Sequence, residues 1–530
     1  MLFQWLDRYQ KANENDALFI REGFTQGFSI QYTGPPGSCL ATNLKSAVNN
    51  PAMVAAKLNK EIRLGRVAGP YARPPFPDLI VSPVGLVAKK SIGVHDEIQE
   101  EDFRLIHHLS FPEGDSINDY IDHEVSTVKY TSFDEVLNMI LTLGNGAYMA
   151  KFDIKSAFRL IPVRQSDFKL LGIQFKDQFY FDKCLPFGCS ISCSTFEKFS
   201  TFLEWTIKAV TASKNVRNYL DDFALAAFTG KGCQHTLDSA LELLQDIGVP
   251  VAHNKTVQPT TSMTFLGINI DTVKREISMP QDKIGPLRDE IAAVLSAPTK
   301  KITLNKIQSL VGKLSFVCRA IPIGRAFLRR LIDAQRGGSR PHHRIRVTQG
   351  MREDLNLWQE FLQYHNGTTA FLDSDWTAST TAQLFTDAAG NCGFGAYFQG
   401  HWTNGRWPAS WIDKGWTRDI TMLELFPIVV AIKLWGERLK NKKVSFVCDN
   451  QAVVSIINKQ TAKPKNVMSL LRRLILLCLQ NNIRFKAVYI PTSKNVIADS
   501  LSRFQWSRFR DAAPQADTMA STVPPELWQI

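Results

Sequence analysis

The segment Asn218-Tyr219-Leu220-Asp221-Asp222-Phe223 constrains the fold more than any other part of this chain. One apolar run ends at Tyr219, a second (Phe223-Ala224-Leu225-Ala226-Ala227-Phe228) follows, and the two acids stand between them. That pattern predicts a tight β-hairpin with the acids at its turn. Adjacent carboxylates repel, so a structured turn holds them best when a cation neutralises them, and Mg²⁺ with its oxygen ligands is the usual ion. A solvated turn also accepts an Asp-Asp pair. Residues elsewhere must decide between the two readings.

At 530 residues the chain is long enough for about three or four domains. With 44% apolar and 21% charged residues it reads as globular protein, neither a fibre nor a disordered tail. Lys and Arg outnumber Asp and Glu by 62 to 50, and the resulting +12 favours a polyanionic partner such as nucleic acid. The nine cysteines are dispersed, with no Cys-x-x-Cys pair and no His at zinc-finger spacing, which argues for a reducing compartment and against a disulfide framework or structural zinc. The N-terminal sequence has no signal-peptide pattern, and the longest apolar run, 470–479, is broken by Arg472 and Arg473. A soluble chain is expected, inside the cell, in cytoplasm or nucleus, with no membrane partner.

Apolar spacing predicts a helix over 45–64, stopped by Pro70 and Pro74-Pro75. Strands at 79–90 and 103–109 flank a polar loop. Helices at 133–143, 192–212 and 236–247 then alternate with short apolar strands ending in acids. Residues 280–335 read as helices alone, with Leu304, Ile307, Leu310, Val311, Leu314 and Val317 on one face and Arg319, Arg325, Arg329 and Arg330 late in the block. A linker zone at 337–380 contains a helix with Trp358. Beyond it come a strand pair over 384–398, a helix at 422–439, strands at 444–448 and 483–490, and a final helix. Residues 505–530, rich in Ala, Pro and Thr, read as a tether.

A third acid stands in Lys151-Phe152-Asp153-Ile154-Lys155-Ser156-Ala157-Phe158, at the end of an apolar stretch. If its strand neighbours the hairpin, Asp153, Asp221 and Asp222 converge. Three such carboxylates can hold two Mg²⁺ about 3.5–4 Å apart for in-line phosphoryl transfer. This segment, then Leu185-Pro186-Phe187-Gly188, Tyr219-Leu220-Asp221-Asp222 and Phe265-Leu266-Gly267, resembles in order the palm motifs of reverse transcriptases. The resemblance implies that Asp153, Asp221 and Asp222 are metal ligands. It implies that Phe158 is a steric gate against a ribose 2′-OH, and that Phe187 and Gly188 form the floor under the incoming nucleotide. Lys89 or Lys90, together with Arg104, would grip the triphosphate, and Lys255 stands where the family places a basic residue that protonates pyrophosphate.

A second set of separated acids follows: Thr386-Asp387-Ala388, Leu423-Glu424-Leu425, Cys448-Asp449-Asn450 and Ala498-Asp499-Ser500. Asp387, Glu424, Asp449 and Asp499 resemble the acid set of RNase H, which implies two further Mg²⁺, with Mn²⁺ as a substitute, and hydrolysis of RNA in RNA/DNA hybrids. The segment Tyr489-Ile490-Pro491-Thr492-Ser493-Lys494-Asn495 lacks the histidine that many family members carry there, so turnover, not the metal site, is affected.

The resemblance spans about 60–504 and implies an α+β right-hand polymerase of fingers, palm and thumb, followed by an α/β RNase H-like domain. The boundaries expected are an N-terminal extension on the fingers (1–60), fingers and palm (61–275), helical thumb (276–336), linker or connection (337–380), RNase H (381–504) and tail (505–530). Phe103-Arg104-Leu105-Ile106-His107-His108-Leu109-Ser110 followed by Ser116-Ile117-Asn118-Asp119, Leu310-Val311-Gly312-Lys313-Leu314-Ser315-Phe316 and the segment 504–514 look like the polymerase of DIRS-like tyrosine-recombinase retrotransposons. Such a chain is either part of a longer polyprotein or a separate reading frame, and implies as partners an RNA template, a DNA primer, RNA/DNA hybrid, dNTPs and a recombinase of the same element. The competing reading is a catalytically silent nucleic-acid-binding or scaffold derivative, which predicts a decayed acid set. An RNA-dependent RNA polymerase would explain neither Phe158 nor the second acid set.

Overall fold

Four short strands carry the acid turn. Tyr148–Asp153 and Asp222–Ala227 run antiparallel at the centre, with Val216–Tyr219 and Val257–Thr260 outside them. Met149, Ala150, Ala224, Leu225 and Ala226 are all buried, which is why the central strands read as continuous apolar runs and not as alternating ones. Phe152 stacks on Phe223 across the pair, ring centroids 4.8 Å apart. Helices Ile191–Thr211 and Gly230–Asp246 cover the sheet and supply Phe196, Phe199, Phe202, Leu203, Leu237 and Leu244 to one core. The second helix starts at Gly230, capped by the Thr229 side chain, ahead of the position that its glycines hide in the sequence.

In this computed structural model residues 1–88, 103–364, 369–370, 376–378 and 381–529 are described. The chain divides into two units, Met1–Leu266 and Gly267–Ile530. The first also holds a three-stranded sheet of Val67–Tyr71, Gln178–Asp182 and Gly172–Phe175, and the expected hairpin of Val84–Ala88 with Phe103–His107. The expected helix over 45–64 is two, Lys45–Val48 and Pro51–Arg63, because Pro51 can begin a helix but not continue one.

Residues 1–60 do not share one destination. Ala47, Val54 and Leu58 pack with Val84, Leu86 and Ile173, on the strands expected for the fingers. Helices Leu2–Tyr9 and Glu14–Gln26 instead lie on helix Ile191–Thr211 behind the acid sheet. Aromatic anchoring draws them there: Tyr9 sits 5.3 Å from Phe202 and 5.2 Å from Trp205, and Phe24 sits 5.0 Å from Phe199.

The second unit opens with helices Gln281–Ser296, Leu304–Val317 and Arg329–Ala334, and helix Gln349–Tyr364 buries Trp358 completely. Helices do not fill 280–335 alone, since Lys301–Thr303 is a strand paired with Arg344–Arg346 through buried Ile302 and Ile345. Farther on, Leu384–Ala389, Gly393–Phe398 and His401–Arg406 form an antiparallel sheet whose third strand the polar sequence His401-Trp402-Thr403-Asn404 conceals. Trp376–Ala378, Lys443–Cys448 and Arg484–Tyr489 form a parallel one. Helices Ile420–Trp435, Gln451–Lys459, Lys465–Gln480 and Val496–Ser502 complete this part.

The tail is not a tether. Helix Trp506–Ala512 buries Phe509 against Trp402, and the chain then runs along strand His401–Arg406, with Trp402 donating to the Asp517 carbonyl (2.7 Å) and Thr403 to that of Ser521 (2.7 Å). Trp528 ends among Phe394, Trp411 and Phe426. Among the described residues no helix is long and apolar enough to cross a membrane.

Candidate active sites

Antiparallel register builds the first site. Asp153, last residue of its strand, lies directly opposite Asp222, the first of its own, and Tyr219 pairs with Asp222, leaving Leu220-Asp221 as a two-residue turn. Leu220 takes the left-handed conformation such turns require, at φ +53°. The Asp221 carbonyl accepts from the Ile154 N–H at 2.9 Å, so the turn is tied to the residue after Asp153. Asp153, Asp221 and Asp222 are thereby brought together. Burial, then Asp221 and Asp153, push the Asp222 carboxyl up to about 6. Burial and Asp153 also raise Asp221, against Lys255 and Arg104. Lys255 donates to the Asp153 carboxylate at 2.8 Å. Three clustered carboxylates, two of them raised despite the cations beside them, make a donor set suited to a hard divalent ion.

Phe158 stands 5.3 Å from Phe187 and 5.8 Å from Phe196, ring to ring. The Arg104 guanidinium lies 5.9 Å from the Phe187 ring centre. Gly188 has φ +115°, and a Cβ there would come within 2.0 Å of the His107 carbonyl oxygen, so only glycine is accommodated. Thus Lys255 and Arg104 act on the acids, Arg104 also lies over Phe187, and Phe187 packs on Phe158, while Lys89 and Lys90 lie outside the described residues.

Several supports went unread in the sequence. Asn118 donates to the Gly188 carbonyl (2.8 Å) and accepts from the Ser190 N–H (2.9 Å), locking the Phe187-Gly188 turn. Arg159 is buried between Asp182 (2.6 Å) and Glu61 (2.9 Å), with His107 3.2 Å from Asp182. Although burial pushes the Asp182 carboxyl up, Arg159 and His107 hold it below its usual range. No local motif marks such a network, because its members are far apart in the chain.

The second site lies within the second unit. Asp387 comes from strand Leu384–Ala389, Glu424 from helix Ile420–Trp435, Asp449 from the end of strand Lys443–Cys448, and Asp499 from helix Val496–Ser502. Carboxylate oxygens of Glu424 and Asp449 and the Cys448 thiol all lie within 4.8 Å of one another. Burial, then Asp387 and Asp449, push Glu424 up to about 9. Burial likewise pushes Asp387 up to about 6, with Asp449 and Asp499 adding to it, although the Ser502 hydroxyl donates to its carboxylate. Burial pushes the Cys448 thiol up to about 12, so it stays protonated and is a poor ligand beside the acids.

Asp499 differs from the other three. Its Oδ1 accepts from Arg503 (2.7 Å) and its Oδ2 from Arg508 (2.6 Å). Burial raises its carboxyl, yet the two arginines prevail and hold it below its usual range. Arg508 belongs to the segment read as a tether. Thr492, in the loop without histidine, donates to Asp449 at 2.8 Å.

Residues 104–270, which contain all the described residues of the first site, match the family model "Reverse transcriptase (RNA-dependent DNA polymerase)". The chain is 25% identical over 182 residues to the Gag-Pro-Pol polyprotein of Human T-cell leukemia virus 2, a match covering 34% of this chain and 12% of that one. It is 26% identical over 197 residues to the Gag-Pro-Pol polyprotein of Mason-Pfizer monkey virus, covering 36% and 10%. The chain therefore spans only about a tenth of these relatives' length. Among solved structures, a foamy viral protease-reverse transcriptase in complex with double-stranded DNA is similar in fold, with a TM-score of 0.50 at 13% identity over 87% of this chain and 73% of that one. Over residues 104–270, then, this chain matches the reverse transcriptase family, and it is similar to retroviral polyproteins of which it spans only a small part.

Proposed function

We propose that the chain is an RNA- and DNA-directed DNA polymerase that also cleaves the RNA strand of RNA/DNA hybrids. The observation that carries this reading is the cross-strand placement of Asp153 against Asp222, with Asp221 in the turn between strands, inside the matched segment. Bound there, two Mg²⁺ would lower the charge on the transferring phosphate and its leaving group. Asp153, Asp221 and Asp222 would hold them. Phe158 and Phe187 pack the nucleotide, the Phe158 ring filling the space a 2′-OH would need. Arg104 neutralises triphosphate charge and Lys255 the pyrophosphate. Lys89 or Lys90 would add to that grip.

Asp387, Glu424 and Asp449, with Asp499 once its arginines yield, would serve the hybrid cleavage. The raised proton affinities of Asp387 and Glu424, each with neighbouring carboxylates among the causes, support a shared cation there. Within retroelements, the segments 103–110, 310–316 and 504–514 favour the DIRS-like group, and so a recombinase partner. A tyrosine recombinase frame beside this coding region would support that placement, and an integrase frame there would overturn it.

Primer extension on RNA and DNA templates with dNTPs and Mg²⁺ tests the main reading. Asp221→Asn is expected to abolish extension and leave hybrid cleavage. Asp449→Asn is expected to do the reverse. Extension retained by Asp221→Asn removes the assigned metal site, and an inactive parent chain favours the silent derivative.

A further inference from the structure

Helix Ile191–Thr211 presents Glu197, Ser200 and Glu204 at spacings of three and four residues, hence on one face. All three hold strand Val216–Tyr219 and its turn. Glu197 accepts from the Asn218 side-chain amide through Oε1 (3.1 Å) and from the Leu220 N–H through Oε2 (3.1 Å). Ser200 accepts from the same Asn218 amide (3.0 Å) and donates to the Leu220 carbonyl. Glu204 accepts from the Asn218 backbone N–H (2.7 Å). Both peptide groups flanking Leu220 are thus tied to one helix.

Leu220 needs that hold. A leucine in the left-handed region is strained where glycine would not be. Glu204 is neutralised by Lys208 and lies 3.8 Å from Arg217. Glu197, only 8% exposed, relies on the two hairpin donors. Burying a carboxylate this way is expensive, and burial pushes its carboxyl up to about 7. Both of its partners are donors, so the side chain here must offer an acceptor oxygen, and an apolar one would leave the Leu220 N–H without its partner.

We propose that Glu197 is a positioning residue of the polymerase site: its two oxygens hold Leu220 in the turn conformation and thereby set where Asp221 and Asp222 stand. The inference rests on the polymerase reading above. It assigns Glu197 no contact with substrate.

The test uses the full chain, with Glu197→Leu, Glu197→Gln and Ser200→Ala. Single-turnover incorporation by Glu197→Leu is expected to fall by about tenfold or more, with the dNTP KM and the primer-template Kd unchanged to within about twofold. Glu197→Gln, which keeps an acceptor for the Leu220 N–H, is expected to recover most of that loss. Ser200→Ala, a smaller change that keeps the chain folded if the leucine variant does not, should lose about threefold by the same route. Amide exchange over residues 216–222 should rise in Glu197→Leu whether or not the chain extends primers. Wild-type rates in an extending chain, a parallel rise in dNTP KM, or unchanged exchange would each overturn the proposal. A parent chain that fails to extend, with exchange still raised by Glu197→Leu, removes the polymerase reading and leaves Glu197 as the residue that holds the turn.

Discussion

At the scale of single residues, Asp153 and Asp449 were legible because each closes an apolar strand run, which is a local signal, whereas Asp387 inside its strand and Glu424 and Asp499 on helices were legible only as members of an ordered set. Their neighbours were legible only through order along the chain. Phe158 has no signature of its own, and its meaning comes from contact with Phe187 and Phe196. If its ring excludes a 2′-OH, Phe158→Val should raise ribonucleotide incorporation relative to dNTPs by about tenfold, or ~1.4 kcal/mol, measured by competing nucleotides in one extension assay. The second acid set makes a separate prediction through protonation. Glu424 is pushed up to about 9 and Asp387 to about 6, so both are substantially protonated below those values and must lose protons to bind a cation. The Mg²⁺ concentration giving half-maximal hybrid cleavage should therefore fall as pH rises from about 6 towards about 9. The same sign holds for the metal-free chain, whose stability should decline over that range because the folded state keeps protons that the unfolded one releases. Metal titrations at three pH values, read by cleavage and by thermal unfolding, check both.

At the scale of elements, helices with strong apolar periodicity were readable and short strands in polar surroundings were not. Arg472 and Arg473 are plain in the sequence as breaks in an apolar run. In the structure they are attachment points: Arg472 pairs with the fully buried Asp354 of helix Gln349–Tyr364, and Arg473 donates to the Glu526 carbonyl at 2.8 Å. The ribbon of Lys301–Thr303 with Arg344–Arg346 shows the same blindness, since pairing between segments so far apart in the chain has no local trace. Its register places Lys301 opposite Arg346, with Lys300 and Arg344 also exposed. Like charges facing each other across a ladder are destabilising, and an anionic ligand would relieve them. On the polymerase reading that ligand is a phosphodiester backbone. Lys301→Gln with Arg346→Gln should weaken duplex binding and lower the slope of log Kd against log salt by about 2, near 0.9 for each phosphate no longer neutralised. Fluorescence anisotropy across a salt series reads it, and an unchanged slope would remove the ribbon from the nucleic-acid path.

At the scale of the whole molecule, two units each carry one acid set and each has its own core. Composition pointed to several domains but misjudged the final stretch, because the Ala, Pro and Thr frequent in 505–530 hide three anchors: Phe509, Leu527 and Trp528. Phe509 and Leu527 are essentially unexposed. Phe509→Ala should cost about 3–5 kcal/mol, seen as a lower unfolding midpoint for the second unit in urea. The same stretch supplies Arg508 to Asp499, which binds the acid set to chain lying beyond the boundary a sequence reading draws at 504. For anyone isolating the second acid set, the practical limit therefore moves: a fragment ending at 504 would uncover Trp402 and Thr403 and leave Asp499 with Arg503 alone, whereas one reaching Trp528 would carry its own wrapping.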